Sequence, residues 1–183
     1  AGIFDLPKGK MICSRPLPVS LGELMNGAAP FTSRIGAILL NAPGRREELS
    51  FNEVMRSLPE LERENWLKMI FVFREEAQAI RARRELNALP LGRLCDFSRS
   101  WNVGLEVLDR SATKGCAVCK LRSMLPGIRR VICVGDYEND LSMLEEADLG
   151  VAVGNALEIV RRTAGKVTVT NNESAIAALI ESL

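Results

Sequence analysis

The chain has 183 residues, 47% of them apolar, with 24 Lys+Arg against 23 Asp+Glu and a net charge of +1. That length suits one domain or two small ones with a sizeable core, and the balanced charge gives no reason to expect nucleic acid or an anionic membrane as a partner. Histidine is absent, which excludes Ser-His triads and His-ligated zinc; no apolar run reaches the roughly 18 residues of a membrane span, and the N-terminus does not read as a signal peptide.

In chain order, Ile3-Phe4 and Met11-Ile12-Cys13 flank Asp5-Leu6-Pro7-Lys8-Gly9 and read as a hairpin with Asp5 in its turn. Pro16 and Pro18 then mark a hinge or domain boundary. Ser20 with Glu23, and Ser50 with Glu53, are capping-box signals for helices over 21–26 and up to about 58. Strands are expected over 35–40 and 67–73, with Asn41-Ala42-Pro43-Gly44 breaking the first. A charged helix over 74–87 offers Ala77, Ile80 and Leu86 for its inner face, and 94–97 and 105–108 pair as antiparallel strands. Residues 19–108 therefore read as an α+β layer.

From residue 112 the pattern changes to strict alternation. Helix 115–125, strand 131–134, helix 138–147, strand 151–153, helix 156–164, strand 167–170 and helix 173–183 predict a parallel, Rossmann-like sheet. The scattered, odd set Cys13, Cys95, Cys116, Cys119 and Cys133 argues for reduced thiols and a cytoplasmic location.

The chemistry concentrates at Val131-Ile-Cys-Val-Gly-Asp-Tyr-Glu-Asn-Asp140. Gly135 lets the chain leave the strand sharply, and Asp136 and Asp140 follow at its C-terminal end, where open α/β sheets bind ligands. Hard carboxylate oxygens there suit Mg2+; the alternative is a helix N-terminus that merely carries acids. Lys114, before a helix, either reaches bound phosphate as a point charge or is a solvated lysine. Gly150–Ala156 is either an amide cradle for an anion or a tight left-handed turn at Gly154-Asn155. Cys116-Ala-Val-Cys119 has no second pair and no His, and reads as two small buried packing residues on a helix. Arg81-Ala-Arg83-Arg84 and Arg161-Arg162 read as solvated helix faces.

Taken together, TKGCAVCKL, VICVGDYENDLSMLEEADLGVAVGNA and VTVTNNESAIAALI, in this order, resemble the haloacid dehalogenase superfamily and, within it, the Cof-like sugar-phosphate phosphatases. The resemblance covers about residues 105–183 most closely. It implies a partial Rossmann-like core from 1–18 and 109–183, with an inserted cap over 19–108. It also implies Mg2+-dependent hydrolysis of small phosphorylated metabolites through an aspartyl-phosphate. Asp136 would ligate the cation directly with Asp140 supporting it. Lys114 would neutralise the nucleophile–phosphate pair, Asn139 would contact phosphate and Asn171 would help close the site.

The family's nucleophile motif, DxDxT, has no counterpart. The aspartates are Asp5, Asp96, Asp109, Asp136, Asp140 and Asp148, and no two are spaced i, i+2. Ile3-Phe4-Asp5-Leu6 imitates the motif's start, but Pro7 stands where the acid–base aspartate belongs. The resemblance therefore implies a core lacking its first strand–helix–strand unit, about 30 residues or more. The expected consequences are an inactive chain and a need for a complementing N-terminal fragment or self-association. A non-catalytic phosphosugar-binding or regulatory protein, or one chain of a split enzyme, are the alternative readings.

Overall fold

The computed structural model describes residues 3–5, 10–13, 15–31, 36–41 and 46–183. Contacts divide the chain into two compact units, Ala1–Ala112 and Thr113–Leu183. This division sets the opening hairpin with the first unit, whereas the sequence reading groups 1–18 with 109–183.

In the first unit, β1 (Ile3–Asp5) and β2 (Lys10–Cys13) pair antiparallel. Asp5 is a strand residue paired with Lys10, not the turn residue expected, and the turn at 6–9 lies outside the described residues. α1 (Leu21–Ala28) starts at Ser20, whose hydroxyl accepts from the Glu23 amide while the Glu23 carboxylate accepts from the Ser20 amide at 3.0 Å. The same reciprocal cap at Ser50 and Glu53 starts α2 (Phe51–Arg56), and α3 (Leu58–Leu61) follows. Both capping boxes work because each satisfies two amides that the first helical turn leaves without partners.

β3 (Gly36–Asn41), β4 (Arg46–Ser50), β5 (Trp66–Val72), β6 (Cys95–Trp101) and β7 (Gly104–Asp109) form one antiparallel sheet in the order β4-β3-β5-β7-β6. β4 has no counterpart in the sequence reading: Arg46-Glu47-Glu48 shows no apolar run, and it is an edge strand held by its backbone pairing to β3. The break placed at 42–44 lies outside the described residues. α4 (Glu76–Ala88) buries Ala79, Ala82 and Leu86; Ile80 is half exposed and Ala77 exposed, so two of its three expected inner residues point outward. Small residues at i and i+3 let the helix approach its neighbours closely, and Arg83 leaves the solvated face to donate from Nε to the Phe97 carbonyl at 3.1 Å. The core of this unit is built on Leu24, Met25, Leu39, Met69, Phe71 and Leu105, all fully buried.

The second unit runs α5 (Lys114–Met124), β8 (Ile132–Gly135), α6 (Leu141–Glu146), β9 (Leu149–Ala152), α7 (Glu158–Thr163), β10 (Lys166–Val167) and α8 (Ala175–Glu181). Its sheet is parallel in the order β10-β9-β8, with Cys133 opposite Gly150 and Lys166 opposite Val151. The alternation read from the sequence is therefore present, although β10 stops at Val167 where a strand to 170 was expected. β8 is the last strand of this sheet; among the described residues its other edge has no strand partner. Val118, Leu144, Ala152, Val160 and Ala175 form a separate core. Among the described residues no helix is long and apolar enough to cross a membrane.

Phe71 is fully buried, with its ring 6.5 Å from that of Phe73. Phe71→Ala leaves a ring-sized void in the sheet–helix interface, and urea denaturation is expected to show a loss of about 3–5 kcal/mol.

Candidate active site

β8 delivers the chain to a turn of 3₁₀ helix, Glu138–Asp140, at its C-terminal end. Asp140 folds back against the strand it has just left. A Cβ on Gly135 would lie 2.5 Å from the Asp140 Cβ and 2.9 Å from its Oδ2, so the glycine is required for space; its backbone is not in the left-handed region. Asp140 is 4% exposed. Its Oδ2 accepts from the amides of Asp136 at 3.0 Å and Tyr137 at 3.3 Å, and its Oδ1 accepts from Lys114 Nζ.

Lys114 is the first residue of α5. Thr113 Oγ1 accepts from the Cys116 amide at 3.2 Å and so fixes where that helix begins. Next along, the Gly115 amide donates to Ser142 Oγ at 3.1 Å, and a Cβ on Gly115 would meet the Ser142 carbonyl oxygen at 2.5 Å. Glycine at this point lets α5 touch the backbone of α6, and the contact sets Lys114 beside Asp140.

The two aspartates are driven apart electrostatically. Burial works to raise the Asp140 pKa, but the hydrogen bond from Lys114, the amides of Asp136 and Tyr137 and the lysine charge together hold it below the ordinary carboxylate range. Asp136 is pushed up, first by partial desolvation, then by the negative charge of Asp140 and a hydrogen bond with it, with Lys114 opposing.

A cavity of about 630 Å³ opens over this cluster. Lys114, Asp136, Asp140 and Asn171 line it, together with Val134, Met143, Val153, Ser174 and Ile176. Of the metal- and phosphate-binding residues implied by the resemblance, Asn139 is not in this wall; it lies on the Glu138–Asp140 turn. Asn171 opens a 3₁₀ turn, Asn171–Glu173, capped by Thr170, whose amide donates to Glu173 Oε2 at 3.0 Å. Ser174 follows with φ 57° and ψ 48°, a left-handed residue on the cavity wall that no sequence signal marked. The chain does turn at Gly154-Asn155, closed by the Ala156 amide donating to the Val153 carbonyl at 3.0 Å, but neither residue is left-handed as expected. Instead Asn155 Oδ1 accepts from the Asn171 amide at 3.0 Å.

The CxxC is not buried. Cys116 and Cys119 are both exposed, and Cys119 Sγ donates to Glu146 Oε2 at 3.1 Å, which raises the thiol's pKa. The buried stripe of α5 is Gly115 and Val118, one position off the cysteines, because the close approach to α6 is made through Gly115.

Three donors, the Asp136 and Tyr137 amides and Lys114 Nζ, hold the Asp140 carboxylate in place. Asp136, which shares a hydrogen bond with Asp140, lines the cavity beside it. Among the described residues no three Asp, Glu, Cys or His side chains are grouped to hold a cation. The donor chemistry fits a hard cation ligated by Asp136, with Asp140 behind it, provided that further oxygen ligands come from water or bound phosphate.

A profile of the haloacid dehalogenase-like hydrolases matches residues 41–180, and the chain belongs to this family. A putative phosphatase of Haemophilus influenzae is 48% identical over 79 residues, which are 42% of this chain and 30% of that protein. The 5-amino-6-(5-phospho-D-ribitylamino)uracil phosphatase YcsE of Bacillus subtilis is 36% identical over 116 residues, 63% of this chain and 45% of that protein. The matched segments thus span less than half of these curated relatives. A haloacid dehalogenase-like hydrolase structure from Bacteroides thetaiotaomicron shares the fold with a TM-score of 0.69 at 24% identity, covering 99% of this chain and 73% of that one.

Gly135→Ala is expected to displace Asp140 and cost about 1–3 kcal/mol, the usual range for overpacking; loss of the Lys114–Asp140 pair should be visible in the NMR shifts of both side chains. The raised pKa of Asp136 means that the native state favours its protonated form, so its contribution to stability is present below its unfolded pKa, about 3.9, and is lost as pH rises through the higher folded value. Asp136→Asn should therefore be more stable than the parent at pH 7, and denaturation curves should converge once the pH falls below about 3.9. Lower stability of the variant at pH 7 would contradict this.

Proposed function

We propose that this chain carries the phosphate- and cation-handling residues of a Mg2+-dependent phosphatase for small phosphorylated metabolites such as sugar phosphates, working through an aspartyl-phosphate. The observation that carries this reading is the convergence of Lys114, Asp136 and Asn171 on one cavity in the parallel-sheet unit, with Asp136 at the C-terminal end of β8. A relative that acts on a phosphoribitylamino-uracil supports a small phosphate monoester as substrate class.

In this reading Lys114 is the point charge for phosphate, oriented by its ion pair with Asp140. The side-chain amides of Asn171 and Asn139 donate to phosphate oxygens. Asp136 holds Mg2+, and the cation when bound neutralises phosphate charge and polarises the phosphorus–oxygen bonds. The five-stranded unit over 19–108 acts as the cap, and 1–18 with 109–183 as the core. The edge of β8 that has no strand partner among the described residues receives a strand from a complementing segment or a second copy. The cytoplasm, where thiols stay reduced, is the compartment that suits the free Cys95, Cys116, Cys119 and Cys133.

A second reading, a non-catalytic phosphosugar-binding or regulatory protein, is favoured by one observation: no two aspartates of the chain are spaced i, i+2. Neither reading supplies a nucleophile from these residues. This 183-residue polypeptide is therefore expected to bind inorganic phosphate with Mg2+ but to hydrolyse p-nitrophenyl phosphate little or not at all. Lys114→Ala should weaken phosphate binding in calorimetry by roughly tenfold or more, the value of a charge-assisted hydrogen bond. Mg2+ affinity should be weaker than micromolar and vanish in Asp136→Asn. Failure to bind phosphate would sink both readings, and robust Mg2+-dependent hydrolysis would reject the non-catalytic one.

A further inference from the structure

β10 ends at Val167, and its bonding to β9 runs one residue further, where the Thr168 amide donates to the Ala152 carbonyl at 2.9 Å; it stops short of Asn171 and does not place it. What continues beyond the ladder is a set of bonds from the loop between β9 and α7. The Gly154 amide donates to the Val169 carbonyl at 3.0 Å. A Cβ on Gly154 would meet the Thr170 amide nitrogen at 3.1 Å and the Thr168 carbonyl oxygen at 3.2 Å, so the loop lies directly against this segment. Asn155 Oδ1 then accepts from the Asn171 amide at 3.0 Å, a contact spanning 16 residues. Two residues further, the Leu157 amide donates to the Asp136 carbonyl at 3.0 Å. One short loop therefore holds both the backbone that carries Asp136 and the backbone that carries Asn171.

We propose that Asn155 is a positioning residue for this site: it sets Asn171 relative to Asp136 across the mouth of the cavity without touching the ligand. The inference rests on the reading that Asn171 and Asp136 face phosphate. The physical argument is the mismatch between where Asn155 sits and what it does. Its side chain is exposed, so its hydrogen bond competes with water and adds little to folding. An exposed side chain whose hydrogen bond ties this loop to a cavity-lining segment serves geometry more than stability. Asparagine suits this task because its amide oxygen accepts at short reach and carries no charge to repel phosphate. Alanine removes the acceptor, whereas aspartate keeps it.

The test uses the whole 15N-labelled chain, with inorganic phosphate plus Mg2+ as probe, and compares the parent with Asn155→Ala and Asn155→Asp. Amide hydrogen exchange at Asn171 should accelerate roughly three- to tenfold in the alanine variant, the worth of one hydrogen bond. Phosphate affinity, followed through the Asp136 and Asn171 amide shifts, should fall by a similar factor while the thermal midpoint stays put. Asn155→Asp should restore the protection of Asn171. The proposal fails if exchange at Asn171 is unchanged in Asn155→Ala. It also fails if that variant loses thermal stability and speeds exchange throughout 113–183 alike, since the side chain is then merely structural. If the parent does not bind phosphate, the reading of the site is wrong, and the exchange measurements still decide the positioning role: loss with alanine and recovery with aspartate support it, and any other pattern overturns it.

Discussion

A carboxylate removed from water must be compensated on every side, and in this molecule that carboxylate is Asp140. Only 4% of its surface is exposed. Two backbone amides and the Lys114 ammonium replace the water it has lost. Each compensation places its own demand on the sequence. The amides of Asp136 and Tyr137 reach Oδ2 only because the chain turns tightly after β8. The turn closes only because Gly135 has no side chain to collide with Asp140. Lys114 arrives because Thr113 starts α5 just before it and because Gly115 lets that helix rest on the backbone of α6. The architecture of the second unit can be read as the means of keeping one buried charge satisfied.

That satisfaction also divides labour between two acids only four residues apart. Asp140 is held by three donors inside the protein and stays ionised. Asp136 lines the cavity, shares a hydrogen bond with Asp140, and is disfavoured in its charged form by partial burial and by that fixed negative charge. A group disfavoured in its charged form is a good place for a cation, because the cation relieves what folding leaves unbalanced. The lysine that neutralises Asp140 is itself half exposed on the cavity wall.

The first unit has a different economy. Its sheet is wholly antiparallel and is covered by an independent cluster of buried side chains, none of which belongs to the second unit's core. The edge strand β4 shows how little side-chain hydrophobicity such a sheet needs at its margin, where a charged segment is tolerated because backbone pairing holds it.

Much of this was legible in the sequence because it depends on local chemistry. The capping boxes at Ser20 and Ser50, the change from an α+β pattern to strict strand–helix alternation, and the placing of Asp136 and Asp140 rest on short-range signals: a hydroxyl three residues from an acid, apolar runs that end in glycine, acids at a strand's end; the grouping of these acids with Lys114 and Asn171 rests on the resemblance of the motifs to those of the family. What the sequence could not show depends on which surfaces meet. The inner stripe of α4 is Ala79–Ala82–Leu86, one helical face, and Ile80 and Ala77 lie off it. The cysteines of α5 face outward because its contact with α6 is made at Gly115. Asn155 reaches Asn171, and Ser174 takes a left-handed backbone, through contacts between segments that no window of sequence contains. Residue type and spacing thus determined the chemistry available to this protein, while the approach distances between α5, α6 and the loops after β9 and β10 decided which groups are compensated, which are exposed and which can act together.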